Sequence, residues 1–139
     1  MKIFLSIILI LIIVVGVVYL FPQINFRGMP AGLFEGRLAE DKPNWVSSMV
    51  SASDSHYIAP LKFQSLAQLS ACIEAKLPKV VIKSTDESKI IAYRQSRVFH
   101  FVDWLCIHAD GSVTSSATMG SSDFGKNREL VEQIRTLCS

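Results

Sequence analysis

The stretch from Ile3 to Phe21 is uncharged and apolar, broken only by Ser6, Gly16 and the amphipathic Tyr19. No other feature limits so strongly what the chain can fold into. At 1.5 Å per residue a helix needs roughly 20 such residues to cross a hydrocarbon core of about 30 Å, and this run meets that length. It exceeds the roughly 7–15-residue apolar core of a cleaved signal peptide, and no small-residue cleavage motif follows it directly. The expectation is an uncleaved transmembrane anchor over residues 1–22. Lys2 and the α-amino group precede the run while Arg27 and Arg37 follow it, so the positive-inside rule gives little direction. By analogy with ordinary signal anchors, the tail is expected inside and the domain outside. This describes a single-pass protein of the inner membrane whose domain faces the periplasm.

The chain has 139 residues, 50% of them hydrophobic, and a formal net charge of +2. Much of the apolar excess lies in the anchor, and roughly 100 residues from about Glu40 suffice for one hydrophobic core. Basic residues are interleaved with acidic ones and form no cluster, which argues against a nucleic-acid partner. Pro22, Gly28, Pro30, Gly32, Gly36 and Pro43 punctuate a linker over residues 23–43, where no apolar period survives. Phe26, Leu33 and Phe34 within it are placed either at the membrane interface or against the domain. Beyond the linker a single domain spans residues 44–139.

In that domain Phe63, Leu66, Ser70, Ile73 and Leu77 fall on one helical stripe that Pro78 ends. Four strand-like segments follow, Val80–Ser84, Lys89–Ser96, Val98–His108 and Ser112–Met119. The last two are joined by Asp110-Gly111, a hairpin signal because such turns need positive φ. A closing helix is expected from Phe124 to Leu137, with Phe124, Asn127, Val131, Ile134 and Cys138 facing inward and Asp123 as its N-cap. The fold class expected is α+β: an N-terminal transmembrane helix, then a four-stranded antiparallel sheet with two helices packed on one face.

Chemical motifs come close and then fail. Gly120-Ser-Ser-Asp-Phe-Gly-Lys-Asn127 matches a phosphate-binding loop up to its last position, where Asn127 replaces the magnesium-binding hydroxyl. Asp123 would also set a carboxylate among the phosphates. Gly120-Ser-Ser-Asp-Phe124 misses the nucleophile-elbow pattern because its last residue is not glycine. On one extended strand His100 and His108 would lie about 26 Å apart, and Cys106 with His108 lacks the two further ligands of a closed zinc site. Neither a cofactor nor a metal is therefore expected. The three cysteines, Cys72, Cys106 and Cys138, are too few and scattered for a disulfide framework. Cys72 and Cys106 read as small buried hydrophobes.

Asp103 is the residue with the clearest physical demand. It shares strand parity with Phe99, Phe101, Leu105 and Ile107, so it is expected inside an apolar layer. There it must pair, hydrogen-bond or stay protonated. Arg94, Arg97 and Arg128 are candidate partners, in a structural ion pair or in a pocket that uses the acid.

Four ordered segments carry a resemblance: Pro43-Asn-Trp-Val-Ser-Ser48, His56-Tyr-Ile-Ala-Pro-Leu61, Arg97-Val-Phe-His-Phe-Val-Asp103 and Ser122-Asp-Phe-Gly-Lys-Asn-Arg128. From Asp41 to its end the chain resembles the family catalogued as domain of unknown function 1499. That family usually has cysteine where Trp45 stands here, more acidic residues around Trp104 and a basic residue near Met119. The resemblance implies no activity. It does imply that the segment from Ser122 to Arg128 is a family motif and not a nucleotide loop. Two function classes follow. One is a binding or interaction module of the cell envelope, tethered to the lipid bilayer and meeting an envelope protein or a small ligand. Its candidate surface is the segment from Asn44 to Leu61 with the loop Ser121–Arg128, and the candidate residues are His56, Asp103, Asp123, Asn127 and Arg128. The other is a small envelope hydrolase using His56 with Asp103 or Asp123. Convergence of these residues on one concave pocket would favour a ligand site or enzyme.

Overall fold

The computed structural model describes residues 2–25, 28–38, 42–97 and 100–138; within the first helix the side chains described are those of 3–18 and 20. The elements are α1 (Lys2–Asn25), β1 (Trp45–Ser47), α2 (Leu66–Lys76), β2 (Val80–Thr85), β3 (Lys89–Gln95), β4 (Val102–His108), β5 (Val113–Ala117) and α3 (Lys126–Cys138). The strands form one antiparallel sheet in the order β1-β5-β4-β3-β2.

Two parts of the expected fold class are corrected. The sheet has five strands and not four, because Trp45–Ser47 adds to the edge of β5 with Trp45 opposite Ser116. All three residues of β1 are buried, so the strand shows no alternation, and it is too short to register as a period. The expected transmembrane helix is the second correction. Among the described residues no helix is long and apolar enough to cross a membrane.

α2 begins at Leu66 because the Ser65 hydroxyl accepts from the Gln68 N–H at 3.2 Å, a standard N-cap bond. Leu66, Leu69 and Ile73 form its buried side. α3 begins at Lys126 and buries Asn127, Leu130, Val131 and Ile134. Phe124, expected on that inner stripe, lies outside the helix at φ 54° and is 92% exposed. Both helices cover one sheet face, where Val80, Ile90, Ala92, Leu105, Ile107 and Val113 meet Leu69, Ile73, Leu130 and Ile134.

The opposite face has its own cluster. Leu33, 1% exposed, joins Val102, Trp104 and Cys106, with Phe34, Ile91 and Tyr93 packed around them. Leu33 and Phe34, from the expected linker, therefore dock on the domain; Phe26 lies outside the described residues. The turn that delivers them needs glycine at Gly36, which sits at φ 67° with Met49 Sδ 2.5 Å from where a Cβ would stand.

The strand expected over Val98–His108 begins only at Val102. Val98 and Phe99 lie outside the described residues, and His100 has φ 52°, so His100 and His108 do not share a strand. The Asp110-Gly111 turn does join β4 to β5: Gly111 has φ 88°, and Asp110 Oδ1 accepts from the Ser112 N–H at 2.8 Å.

Cys72 and Cys138 are joined in a disulfide between α2 and α3, which corrects the reading of Cys72 as a simple hydrophobe. Cys106 is the buried free thiol among the described residues, and burial pushes its pKa up to about 11. A thiol raised in this way is protonated near neutral pH and is a poor nucleophile.

Candidate functional site

Asn127 organises the junction between the sheet edge and the start of α3. It is fully buried. Its Oδ1 accepts from the Ser115 hydroxyl at 2.6 Å, and its Nδ2 donates to the Asn44 carbonyl at 2.9 Å and to Asp123 Oδ2 at 2.7 Å. Asp123 Oδ2 also accepts from the Asn127 backbone N–H at 2.7 Å, while Oδ1 accepts from the Gly125 N–H at 3.1 Å. The carboxylate thus takes up backbone donors left open at the start of a helix. Asn44 completes the frame by donating from Nδ2 to the Gly120 carbonyl at 2.8 Å. The failed phosphate loop is in this geometry a self-satisfied turn, with Asp123 seated where an anion would bind.

His56 reaches the same junction from the other side. Its segment runs beside β1, with the Ser47 N–H donating to the His56 carbonyl at 2.9 Å and the Ile58 N–H to the Ser47 carbonyl at 3.1 Å. The imidazole stacks on the Trp45 indole at 3.9 Å and 9°. Its Nδ1 lies 2.8 Å from Asp54 Oδ1 and its Nε2 3.0 Å from the Lys42 carbonyl. A carboxylate and a carbonyl both accept, so both contacts are hydrogen bonds at once only when each ring nitrogen carries a proton. The His56 backbone N–H, donating to Asp54 Oδ1 at 2.8 Å, is the chief reason that Asp54 titrates below its ordinary range.

Arg128 closes the junction by donating from Nη2 to the Ser55 carbonyl at 3.1 Å. With Pro43, Trp45, His56, Asp123 and Gly125 it lines a cleft of about 130 Å³. Among the described residues no carboxylate pairs with it. Phe124 projects from the adjoining turn into solvent.

Of the residues singled out from the sequence, His56, Asp123 and Arg128 line this cleft, and Asn127 lies buried beneath it. Asp103 does not join them. It lines a separate, larger groove of about 560 Å³, where Arg94 Nη2 donates to its Oδ2 at 3.1 Å. Arg94, one of the three candidate partners, also donates to the Lys126 carbonyl at 2.8 Å. Burial raises the Asp103 pKa, and the hydrogen bond and charge of Arg94 offset that only in part. Sequence reasoning placed Asn44 and Trp45 in the candidate surface segment without giving either a role, and it missed Ser115 as part of the junction. The roles of Asn44 and Ser115 had no local signal, because both are defined by contacts to Asn127, which lies 12 residues from Ser115 and 83 from Asn44.

No curated protein and no solved structure matches the chain. A family model does: it covers residues 37–137, essentially the whole domain, including the cleft and the groove. The chain belongs to that family, described as "Protein of unknown function (DUF1499)".

Proposed function

We propose that the domain is a binding module whose working surface is the junction of residues 44–61 with the turn 121–128, and that a protein partner docks there on Phe124 and Arg128. The observation that carries this reading is Phe124. Presenting a phenyl ring 92% exposed on a left-handed residue is costly on both counts. The turn is nevertheless pinned in that conformation from below by Asp123 and Asn127. Strained, rigidly held residues cluster at working surfaces, and aromatic and arginine side chains dominate binding energy at interfaces. Phe124 calls for an apolar pocket on the partner, and Arg128, with guanidinium donors to spare, for a carboxylate. The hydrolase alternative draws less support, since His56 Nε2 faces the Lys42 carbonyl, the Asp123 carboxylate is taken up by donors of Gly125 and Asn127, and Asp103 lies in the other groove. The Cys72–Cys138 disulfide supports an oxidising compartment for the domain, such as the cell envelope.

A photo-crosslinking amino acid at position 124 of the full chain, expressed in its own cells, tests this. Discrete adducts are expected at 124 but not at the exposed control position Glu74, and Arg128→Glu should abolish them. Adducts no stronger than those at Glu74, or adducts indifferent to Arg128→Glu, would overturn the reading.

A further inference from the structure

The Asp103 groove is a second site, distinct from the Phe124 surface. One wall is α3, where Lys126, Glu129, Gln133 and Leu137 follow helical spacing; the other is the end of α2 with the turn into β2. Its volume of about 560 Å³ falls within the range of small-molecule sites. Leu77, Pro78, Val80 and Leu137 supply apolar surface, while the remaining lining side chains include five basic residues against two acidic ones. Asp103 engages one Arg94 nitrogen, and Nη2 alone carries both of the arginine's bonds, so Nε and Nη1 keep their donors. Arg97 and Lys126 stand nearby at exposed positions, although Lys126 Nζ also contacts Glu129 Oε2 at 2.5 Å. An apolar trough under a rim with excess positive charge complements one kind of occupant: an apolar chain ending in an anion. We infer that this groove binds a single-chain amphiphile with an anionic head group, carboxylate or phosphate. The chain lies along Leu77, Val80 and Leu137, and the head group meets Arg94, Arg97 and Lys126.

The test uses the purified full-length chain and decanoate carrying a diazirine at its chain end, with labelled peptides mapped by mass spectrometry. Labelling is expected within residues 76–80 and 126–137. Excess decanoate or decyl phosphate should suppress it at least tenfold, the stronger competitor identifying the head group, while decyltrimethylammonium and decanol should not. The exposed double substitution Arg97→Glu with Lys126→Glu should lower groove labelling at least tenfold and leave any label on α1 unchanged. Absence of label from both groove segments, equal suppression by decanol, or wild-type labelling of the double variant would each overturn the inference.

Discussion

Asp103 stands between two opposed effects. Burial penalises its charge while Arg94 at 3.1 Å rewards it, and burial is the larger. Its carboxyl is therefore held above the ordinary range of about 3.9. A carboxyl whose folded pKa is raised binds its proton more tightly folded than unfolded. The stability linked to that proton is full below the unfolded pKa and is lost as pH rises through the folded one. Asp103→Asn removes this dependence. The stability of the native chain relative to the Asn variant is expected to fall as pH climbs from about 4 through that raised pKa, then to level off; a pH series of denaturant titrations reads the difference. Asp54, Asp86, Asp110 and Glu129 are shifted the other way and lose their contribution only in acid, but they cancel in the comparison. A flat difference would mean that Arg94 balances burial. Asp103→Ala should cost about 1.5–3 kcal/mol, the worth of a charged hydrogen bond. The 3–5 kcal/mol of a fully buried pair is not expected, because both side chains keep about 15% exposure and Arg94 retains the Lys126 carbonyl.

The two helices are joined covalently as well as by packing. The Cys72–Cys138 bridge closes a loop across a separation of 66 residues, and a loop of that length stabilises by about 4 kcal/mol in the chain-entropy account, with measured values typically about 2–4. Cys72→Ala with Cys138→Ala should lower the unfolding free energy by about that amount in denaturant titrations, and reductant should do the same to the native chain. Equal stability with and without reductant would mean the thiols are not joined in solution. The bridge was hidden in the sequence because three scattered cysteines specify no pairing, and the proximity arises only from packing α2 on α3. Strands with alternation, such as Lys89–Gln95, and the Asp-Gly hairpin were readable, since their signals are local. The start of α3 misled because the apolar spacing continues back to Phe124, whereas positive φ at Phe124 and Gly125 breaks the helix first. Of the junction, the sequence motif supplied His56, Asp123 and Arg128, but the stack on Trp45 depends on a strand that no period announces.

A sheet covered by helices on one face must cover the other by some means or leave apolar surface in water. Here β4 alternates strictly: Leu105 and Ile107 go to the helices, Val102, Trp104 and Cys106 to the opposite side. The second side is roofed by Leu33 and Phe34, from a segment whose prolines and glycines read as a linker. The Leu33 N–H donates to the Pro30 carbonyl at 3.3 Å and the Arg37 N–H to the Gly32 carbonyl at 3.2 Å. This local turn supports one anchoring side chain without regular structure. If the segment is part of the core, Leu33→Ala should cost about 2–5 kcal/mol, as for other buried leucines. Leu33→Ala should also shift the emission of Trp104, 1% exposed in the native chain, to the red as water reaches the uncovered face. Thermal melts and fluorescence of the full chain provide both readings. The neighbouring exposed Glu35→Ala should change neither. A Leu33→Ala protein as stable as wild type, with unchanged emission, would mean that residues 30–37 only lean on the sheet, leaving its second face for another surface to cover.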